Sequence, residues 1–181
     1  MAEIRLGLFF GVWSDTGMRM TAQPIVSEVE TNPSDFEDWL GLHGLLSDSF
    51  AYMDGRIDPP SSLLRLTPEG LEQKSRTEDL YLIRDGGAPV ACAFGTITGE
   101  CYYLGKLAVA ASQRGQGLAR GIIEAAAQTA RKRGLSRLEL QTRVELRENH
   151  RTFRRLGFTL VGASAHPGYD HATSLTFRRR V

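Results

Sequence analysis

The sequence predicts an α/β (α+β) fold, in which a mixed, largely antiparallel central sheet of about seven strands is flanked by helices. Short segments alternate apolar and polar residues, and longer segments repeat apolar residues with the helical period of about 3.6. The 181 residues are 41% apolar and 24% charged. No apolar run approaches the ~18 to 20 residues that span a bilayer. One globular domain of ordinary composition is therefore expected.

The first part of the chain predicts one strand and two helices. Residues 24–30 alternate apolar and polar side chains and are expected to form the first strand. Ser34 and Glu37 have the spacing of a capping box, so a helix is expected between this turn and a loop rich in glycine and proline at residues 52–62. A second helix is expected to carry Pro68 in its first turn.

An antiparallel meander of three strands is expected next. Residues 80–84 and 89–98 flank an Asp-Gly-Gly turn at residues 85–87. An Asp-Gly pair supplies the positive φ that tight hairpin turns need. A second turn at residues 99–100 leads into the third strand of the meander at residues 101–109.

The remaining elements alternate between helix and strand. Residues 116–133 have helical periodicity, with basic side chains in the last turn and Gly134 as the C-cap. The later predicted elements are a strand at 138–142, a helix at 148–156 that ends at Gly157, and two closing strands at 158–162 and 173–179.

Cysteines, histidines and the N-terminal stretch indicate the setting of the domain. Cys92 and Cys101 lie in predicted strands of a chain with no convincing secretory signal, so free buried thiols in a reducing cytoplasm are expected. The four histidines are scattered without ligand spacing, so no metal site is predicted. Residues 1–20 are expected to be an N-terminal extension, either a loose arm or sequence upstream of a true start, before a single domain at residues 21–181.

The formal net charge of +1 conceals a segregation of charge along the chain. Residues 21–105 contain 14 acidic and 5 basic residues, whereas residues 106–155 contain 12 basic and 4 acidic residues. The basic segment is expected to receive an anion, and the acidic segment mildly favours a cationic acceptor.

A glycine-containing loop follows the strand that ends in Leu107-Ala108-Val109. Its sequence is Gln113-Arg114-Gly115-Gln116-Gly117-Leu118-Ala119. Glycines let successive backbone N–H groups converge on an anion, and the helix that opens behind them adds positive potential. The loop therefore predicts a pyrophosphate site. It lacks the Gly-Lys-Ser/Thr of a P-loop and the Gly-x-Gly-x-x-Gly of a dinucleotide fold.

The phasing Arg-Gly-x-Gly-Leu-Ala in this loop resembles the acetyl-CoA signature of the GNAT superfamily of N-acyltransferases. Residues 148–158 resemble that family's asparagine-containing helix ending in Leu-Gly-Phe, and the element order agrees from about residue 25 to residue 179. The resemblance implies the acyl-CoA N-acyltransferase fold. It also implies an N-acetyltransferase that moves the acetyl group of acetyl-CoA to a primary amine by direct attack in a ternary complex.

The resemblance also assigns binding roles to individual residues. The strand backbone at residues 107–109 would pair with the pantetheine arm, and the N–H of Leu107 or Ala108 would polarise the thioester carbonyl. The loop amides would hold the pyrophosphate, and the second motif helix would reach the cofactor. The implied cofactor-binding residues are Leu107, Ala108, Val109, Arg114, Gly115, Gln116, Gly117, Leu118, Ala119, Asn149 and Phe153.

The acid and the base are harder to assign. Many family members place a proton-donating tyrosine on the second motif helix, where this sequence has Phe153. Tyr103 occupies the strand position that often carries a carboxylate base, and Tyr169 lies in the loop between the last two strands, where it could swing over the acceptor. A polar loop at residues 52–58 is a candidate acceptor site.

Two hypotheses from other classes remain open. A non-catalytic CoA-binding sensor or interaction module would have the same fold but would not catalyse acetyl transfer. A nucleic-acid binder would use the basic segment, but Phe153 is the single aromatic residue of that segment, so stacking platforms are missing. The expected partners are acetyl-CoA and an amine acceptor, a small molecule or a peptide, with no nucleic acid, no membrane and no metal. Folds of this type are commonly homodimers.

Overall fold

The computed structural model describes residues 28–181, which form one seven-stranded sheet with two helices on each face. The strands are β1 Glu30–Thr31, β2 Asp79–Asp85, β3 Ala88–Thr98, β4 Cys101–Val109, β5 Arg137–Arg143, β6 Thr159–Ser164 and β7 Ser174–Arg180. The helices are α1 Trp39–Phe50, α2 Pro68–Ser75, α3 Leu118–Lys132 and α4 Arg147–Arg155. The mixed, largely antiparallel sheet predicted from the sequence is confirmed.

The sheet has the strand order β1-β2-β3-β4-β5-β7-β6. Among the described strands, β4 and β5 are the one parallel pair. Their pairing covers three residue pairs and ends at Leu104 and Leu140, although both strands continue. Beyond these residues the strands separate, and we call the opening between them the V-shaped cleft.

A β-bulge deforms β4 at the start of this opening. Lys106 has a φ of +52°, a conformation that side chains other than glycine rarely adopt. The register with β3 shifts there, so that Gly105 pairs with Phe94 whereas Ala108 pairs with Cys92. β4 has one residue more than β3 across this stretch, so beyond the bulge successive side chains of β4 point to the opposite faces of the sheet from those that an unbulged strand would give.

The two faces of the sheet bury separate cores. α3 and α4 cover one face, where Ile122 and Ala126 of α3 pack against Leu138 and Leu140 of β5. α1 and α2 cover the other face over the first strands, where Leu42 and Leu46 of α1 are almost fully buried. This arrangement leaves the cleft lined by strand backbone, with helices on both sides.

The expected cap of α1 is wrong. Asp38 caps the helix in place of Ser34, because its carboxylate accepts a hydrogen bond from the Gly41 amide at 2.9 Å. The residues before it form a turn that buries Phe36, whose ring meets Trp39 edge-on with the centroids 4.9 Å apart. The helix therefore begins one turn later than the capping-box pattern predicts. A side chain at Gly41 would overlap the capping carboxylate.

The other element predictions within the described residues are confirmed to within a few residues. The first predicted strand, at 24–30, lies largely outside these residues, and β1 begins at Glu30. The predicted extension at residues 1–20 lies outside them entirely. α3 begins at Leu118, two residues later than predicted, because Gly117 has a left-handed conformation with a φ of +86°.

Cys92 and Cys101 are buried free thiols, as the sequence predicts. Burial raises the pKa of the Cys92 thiol to about 12. Within residues 28–181 there is no helix of the length and apolar character needed to cross a membrane. The same part of the chain holds no group of three or more histidine, cysteine or acidic side chains placed to hold a metal ion.

Candidate active site

A cavity of about 830 Å³ occupies the V-shaped cleft. Its walls are β4 from Tyr103 to Val109, the far end of β5, one face of α4, and the chain from the end of α1 to Arg65. Arg114 and Ala119 add the entry to α3. The size suits an extended ligand, because small-molecule sites commonly enclose about 300 to 1,000 Å³.

The β4 wall offers backbone groups. Beyond Leu104 the strand has no partner on β5, so N–H and C=O groups along this edge are open to pairing with an extended ligand. Leu107, Ala108 and Val109, which the sequence predicts as cofactor-binding, all line the cavity. The Val109 carbonyl accepts hydrogen bonds from Ser49 Oγ at 3.4 Å and Arg114 Nε at 3.3 Å. These bonds fix the end of the strand.

The glycine loop lies next to the cavity and has the backbone of an anion-binding loop. Gly115 and Gly117 both have left-handed backbones, with φ of +80° and +86°. Only glycine adopts this region without strain. No side chain caps α3, and its first internal hydrogen bond runs from the Gly121 amide to the Gly117 carbonyl. The N–H groups of the first turn therefore stay available, and the helix dipole adds positive potential there.

The predicted loop residues differ in how they meet the cavity. Arg114 and Ala119 line it, whereas Leu118 is buried beneath the first turn of α3. Gly115, Gln116 and Gly117 are exposed at its rim. Such an arrangement fits a pyrophosphate group at the mouth and an extended arm inside.

The α4 wall combines a polar and an apolar side chain. Asn149 lines the cavity, and its Nδ2 donates to the Tyr52 hydroxyl at 3.0 Å. Phe153 also lines the cavity and packs against Phe158 and Phe177, with ring centroids 6.3 and 6.0 Å away. The wall at Phe153 is therefore apolar and carries no exchangeable proton.

The two predicted catalytic tyrosines lie in different surroundings. Tyr103 lines the cavity and packs over Gly105, where an added Cβ would stand 3.2 Å from the ring. Burial raises the pKa of Tyr103, and the nearby carboxylates of Glu139 and Glu78 reinforce the rise. The phenol of Tyr103 is therefore neutral at neutral pH. It can orient or donate, but it is not a base.

Tyr169 does not line the cavity described by this part of the chain. Its hydroxyl donates to the Asp58 carboxylate, and this hydrogen bond raises the pKa of Tyr169. The contact joins the loop between β6 and β7 to the loop after α1. The structure thus brings Tyr103 to the cavity but leaves Tyr169 at its outer edge.

The loop after α1 is fastened to the opposite wall by several polar contacts. The Asp58 amide donates to Glu145 Oε1 at 3.2 Å, and Arg56 Nη2 lies 2.6 Å from Glu148 Oε1. Sequence reasoning missed the bond between Tyr52 and Asn149. These residues are 97 positions apart, and no local pattern signals such a contact.

The charged lining of the cavity is mainly basic. Among the described residues the lining includes four basic side chains and one acidic side chain, that of Glu148, which is paired with Arg56. The expected acidic acceptor side is therefore not found, since no acid of the first half lines the cavity. The basic side chains are Arg65, Lys106, Arg114 and Arg143.

Lys106 and Arg143 are the two most enclosed of these cations. Burial lowers the pKa of Lys106, and the nearby charge of Lys74 lowers it further. The Arg143 side chain is 12% exposed, with Nη1 3.4 Å from His166 Nε2 and Nε 3.8 Å from Glu145 Oε2. Arg143 lies three residues beyond the last β5 residue that pairs with β4.

The sequence matches a known family model. The model of the acetyltransferase (GNAT) family matches residues 39–158, which hold β4, the glycine loop and α4. No curated protein sequence matches the chain significantly.

Solved structures share the fold at low sequence identity. A PaiA N-acetyltransferase from Thermoplasma acidophilum, in complex with coenzyme A, has a TM-score of 0.67 at 12% identity, over 85% of this chain and 99% of that one. A GNAT family acetyltransferase from Elizabethkingia anophelis with acetyl-CoA bound has a TM-score of 0.61 at 14% identity, over 84% and 97%. Nourseothricin acetyltransferase has a TM-score of 0.52 at 22% identity, over 59% of this chain and 66% of its own length. This chain thus spans just under two thirds of that last protein.

Proposed function

Because the chain belongs to the acetyltransferase (GNAT) family, we propose that it transfers the acetyl group of acetyl-CoA to a primary amine by direct attack in a ternary complex. The observation that carries the proposal is the V-shaped cleft. The β4–β5 pairing stops after three residue pairs, beside a glycine loop and an uncapped helix N-terminus. The acetyl-CoA bound in one structural neighbour and the coenzyme A bound in another support acetyl-CoA as the cosubstrate.

The proposed binding mode uses the backbone for the cofactor. The open edge of β4 at residues 107–109 pairs with the pantetheine arm, and the loop from Arg114 to Ala119 holds the pyrophosphate. Arg65 and Arg114 lie in the lining, where they can balance phosphate charge. The N–H of Leu107 or Ala108 then stabilises the oxyanion, a contribution worth about 100- to 1,000-fold in rate in enzymes of this chemistry.

The proposed acceptor side uses side chains. Tyr103 lines the cavity next to Leu104, the last β4 residue that pairs with β5. There its neutral hydroxyl can orient the attacking amine. Tyr169 has to release Asp58 before it can cover the acceptor, so we assign it the weaker role of the two. The acceptor is proposed to be a small molecule or a peptide. No role for nucleic acid, membrane or metal is proposed.

One observation favours a second function. Phe153 stands at the usual position of the proton donor and presents an apolar ring to the cavity. A CoA-binding sensor or interaction module on the same fold needs no such donor. The two functions differ in turnover, because the sensor binds acetyl-CoA and releases no thiol in the presence of amines.

Calorimetric titration followed by a thiol-release assay tests the proposal. The enzyme is expected to bind acetyl-CoA with micromolar affinity and to release CoA when amines are added, with an acetylated amine detected by mass spectrometry. The amine panel comprises spermidine, L-lysine, L-phenylalanine, a dipeptide and streptothricin. Failure to bind acetyl-CoA near micromolar concentration would contradict both functions, and binding without release would favour the sensor.

We further propose a cytoplasmic homodimer. The two free buried cysteines support a reducing compartment. All six residues of β6 are exposed, with Leu160 45% and Val161 49% exposed, and β6 is an edge strand. An exposed apolar edge is suited to pairing with a second copy. Light scattering should give the dimer mass for the native chain and the monomer mass for Val161→Lys, and a monomeric native chain would contradict the proposal.

A further inference from the structure

Phe153 leaves the proposed reaction without a proton donor on α4. When an amine attacks a thioester, the departing sulfur carries a negative charge and needs a proton. The Phe153 ring cannot supply one, although it lines the cavity. Another side chain that reaches the same part of the cavity has to do so.

Tyr52 reaches this part of the cavity from the opposite wall. It lies in the short helical turn Ala51–Met53 after α1, is half-buried, and lines the cavity. Its hydroxyl accepts a hydrogen bond from Asn149 Nδ2 at 3.0 Å. The same hydroxyl donates to Asn149 Oδ1 at 3.3 Å, so the phenol proton is directed at the Asn149 amide. A sulfur that enters the cavity has to replace this acceptor, which rotation of the hydroxyl about its C–O bond allows.

The Tyr52 hydroxyl contacts the helix that carries Phe153. Asn149 and Phe153 are four residues apart on α4, so they occupy the same helix face about one turn, ~5.4 Å, apart. The Tyr52 hydroxyl therefore contacts the face of α4 that carries Phe153, one helical turn before it.

Arg56 connects the Tyr52 ring to α4. The Arg56 guanidinium lies 5.5 Å from the ring centroid, and it also pairs with Glu148, the neighbour of Asn149 on α4. Residues 52 and 56 are therefore both tied to the start of α4.

We propose that Tyr52 is the proton donor to the leaving CoA sulfur. The amine nitrogen forms a bond to the acetyl carbonyl carbon, the carbon–sulfur bond breaks, and the sulfur takes the Tyr52 proton. The proton lost by the amine passes to solvent, and the phenolate regains a proton from water. This inference rests on the proposed acetyl transfer, because it names the acid of that same reaction.

The other phenols near the site provide matched controls. Tyr103 also lines the cavity, but it lies on β4 and not against α4. Tyr169 is held outside the lining by Asp58. Neither hydroxyl has a hydrogen bond to Asn149. Tyr103→Phe is expected to raise the KM of the amine, because Tyr103 is proposed to orient it, and Phe153→Tyr is not expected to rescue that change.

The experiment compares the native chain with Tyr52→Phe, Tyr103→Phe, Phe153→Tyr and the double variant Tyr52→Phe/Phe153→Tyr. Each is assayed for acetyl-CoA affinity and for thiol release with the best amine of the panel. Tyr52→Phe should lower kcat about 100-fold or more while acetyl-CoA affinity changes less than about twofold.

The double variant separates proton donation from packing. A hydroxyl restored at position 153 should recover kcat to within about tenfold of the native value, because it returns a proton donor to the same part of α4. A structural role for Tyr52 predicts no such recovery. If Tyr52→Phe keeps full kcat, or if Phe153→Tyr fails to rescue it, the inference is overturned. If the native chain binds acetyl-CoA but releases no thiol with any amine, the proposed function fails first and the inference fails with it.

Discussion

The two sides of the cavity are built in different ways. The side that we propose binds the cofactor, called the cofactor side, is one continuous stretch of chain, residues 107–119, which runs from β4 through the glycine loop into α3. The side that we propose binds the acceptor, called the acceptor side, is lined by side chains from distant segments, including Tyr52, Tyr103, Arg143 and His166. A site made of consecutive amides depends on a local pattern of strand, glycines and helix. A site made of distant side chains depends on how the whole chain folds.

The largest expected effect tests the cofactor side. Gly117→Glu places a carboxylate at the N-terminus of α3, where the pyrophosphate is proposed to lie. Like charges at an interface cost several kcal/mol, so acetyl-CoA should bind about 100-fold more weakly or not at all. The expected measurement is a calorimetric titration. An added Cβ at this position meets no atom within 4 Å, so the change adds backbone strain at a φ of +86° but no steric clash.

Two controls separate charge from backbone strain. Gly117→Ala keeps the strain of a φ of +86° without the charge and should retain most of the affinity. Gly134→Glu adds the same charge at a glycine with a φ of +74° at the other end of α3, and should leave acetyl-CoA binding unchanged. Equal losses in Gly117→Glu and Gly134→Glu would mean that the loop is not the phosphate site.

The second-largest expected effect concerns the stability of the fold and comes from Asp79, which does not line the cavity. Asp79 is 7% exposed and accepts hydrogen bonds from Tyr102, Asn32 and Arg133. Burial alone would raise the pKa of Asp79, but these hydrogen bonds outweigh it and lower the pKa. Asp79→Asn should therefore cost about 1 to 3 kcal/mol in the free energy of unfolding at neutral pH. Acetyl-CoA affinity should not change.

The pH dependence of this effect has a defined sign. Because the folded pKa lies below the ordinary value of about 4, the Asp79 carboxylate stabilises the fold fully above that value. Its contribution is lost as pH falls through the lowered folded pKa. Denaturant unfolding should show the gap between the native chain and Asp79→Asn narrowing below about pH 4. A gap that stays constant down to acid pH would contradict the assigned role of the carboxylate.

The third effect tests the acceptor side. Arg143→Gln removes an enclosed cation from the lining and should change the KM of the amine acceptor by about tenfold, the scale of one charged hydrogen bond. Acetyl-CoA affinity should stay within about twofold. A parallel loss of acetyl-CoA affinity would show that the two sides are not separate. The double variant Arg143→Gln/Glu145→Gln controls for the unpaired Glu145 that the single change leaves behind.

The smallest expected effect concerns the ion pair that closes the acceptor side. Arg56 and Glu148 are 46% and 48% exposed. Exposed pairs of this kind often contribute nothing measurable to stability. Thermal unfolding of Glu148→Gln should therefore match the native chain within error. A clear loss of thermal stability would show that the loop is held more tightly than an exposed pair allows.

The sequence predicts the cofactor side more completely than the acceptor side. Periodicity, the Asp-Gly turn and the glycine loop predict the strands, α3 and the residues from Leu107 to Ala119, because each signal lies within a few neighbouring residues. The bulge at Lys106 and the bond between Tyr52 and Asn149 have no local signal, since they depend on strand register and on contacts between distant segments. The cap of α1 was mispredicted for a related reason. Burial of Phe36 decides where the helix begins, and burial is a property of the fold.

A crystal structure of the complex with coenzyme A tests the central claim most directly. We expect the pantetheine arm to pair with β4 at residues 107–109 and the pyrophosphate to meet the amides between Gly115 and Ala119. We also expect the sulfur to lie within hydrogen-bonding distance of the Tyr52 hydroxyl. Coenzyme A bound outside the V-shaped cleft would contradict the proposed binding mode. A sulfur remote from Tyr52, with the pantetheine arm in place, would contradict the proposed role of Tyr52 as the proton donor.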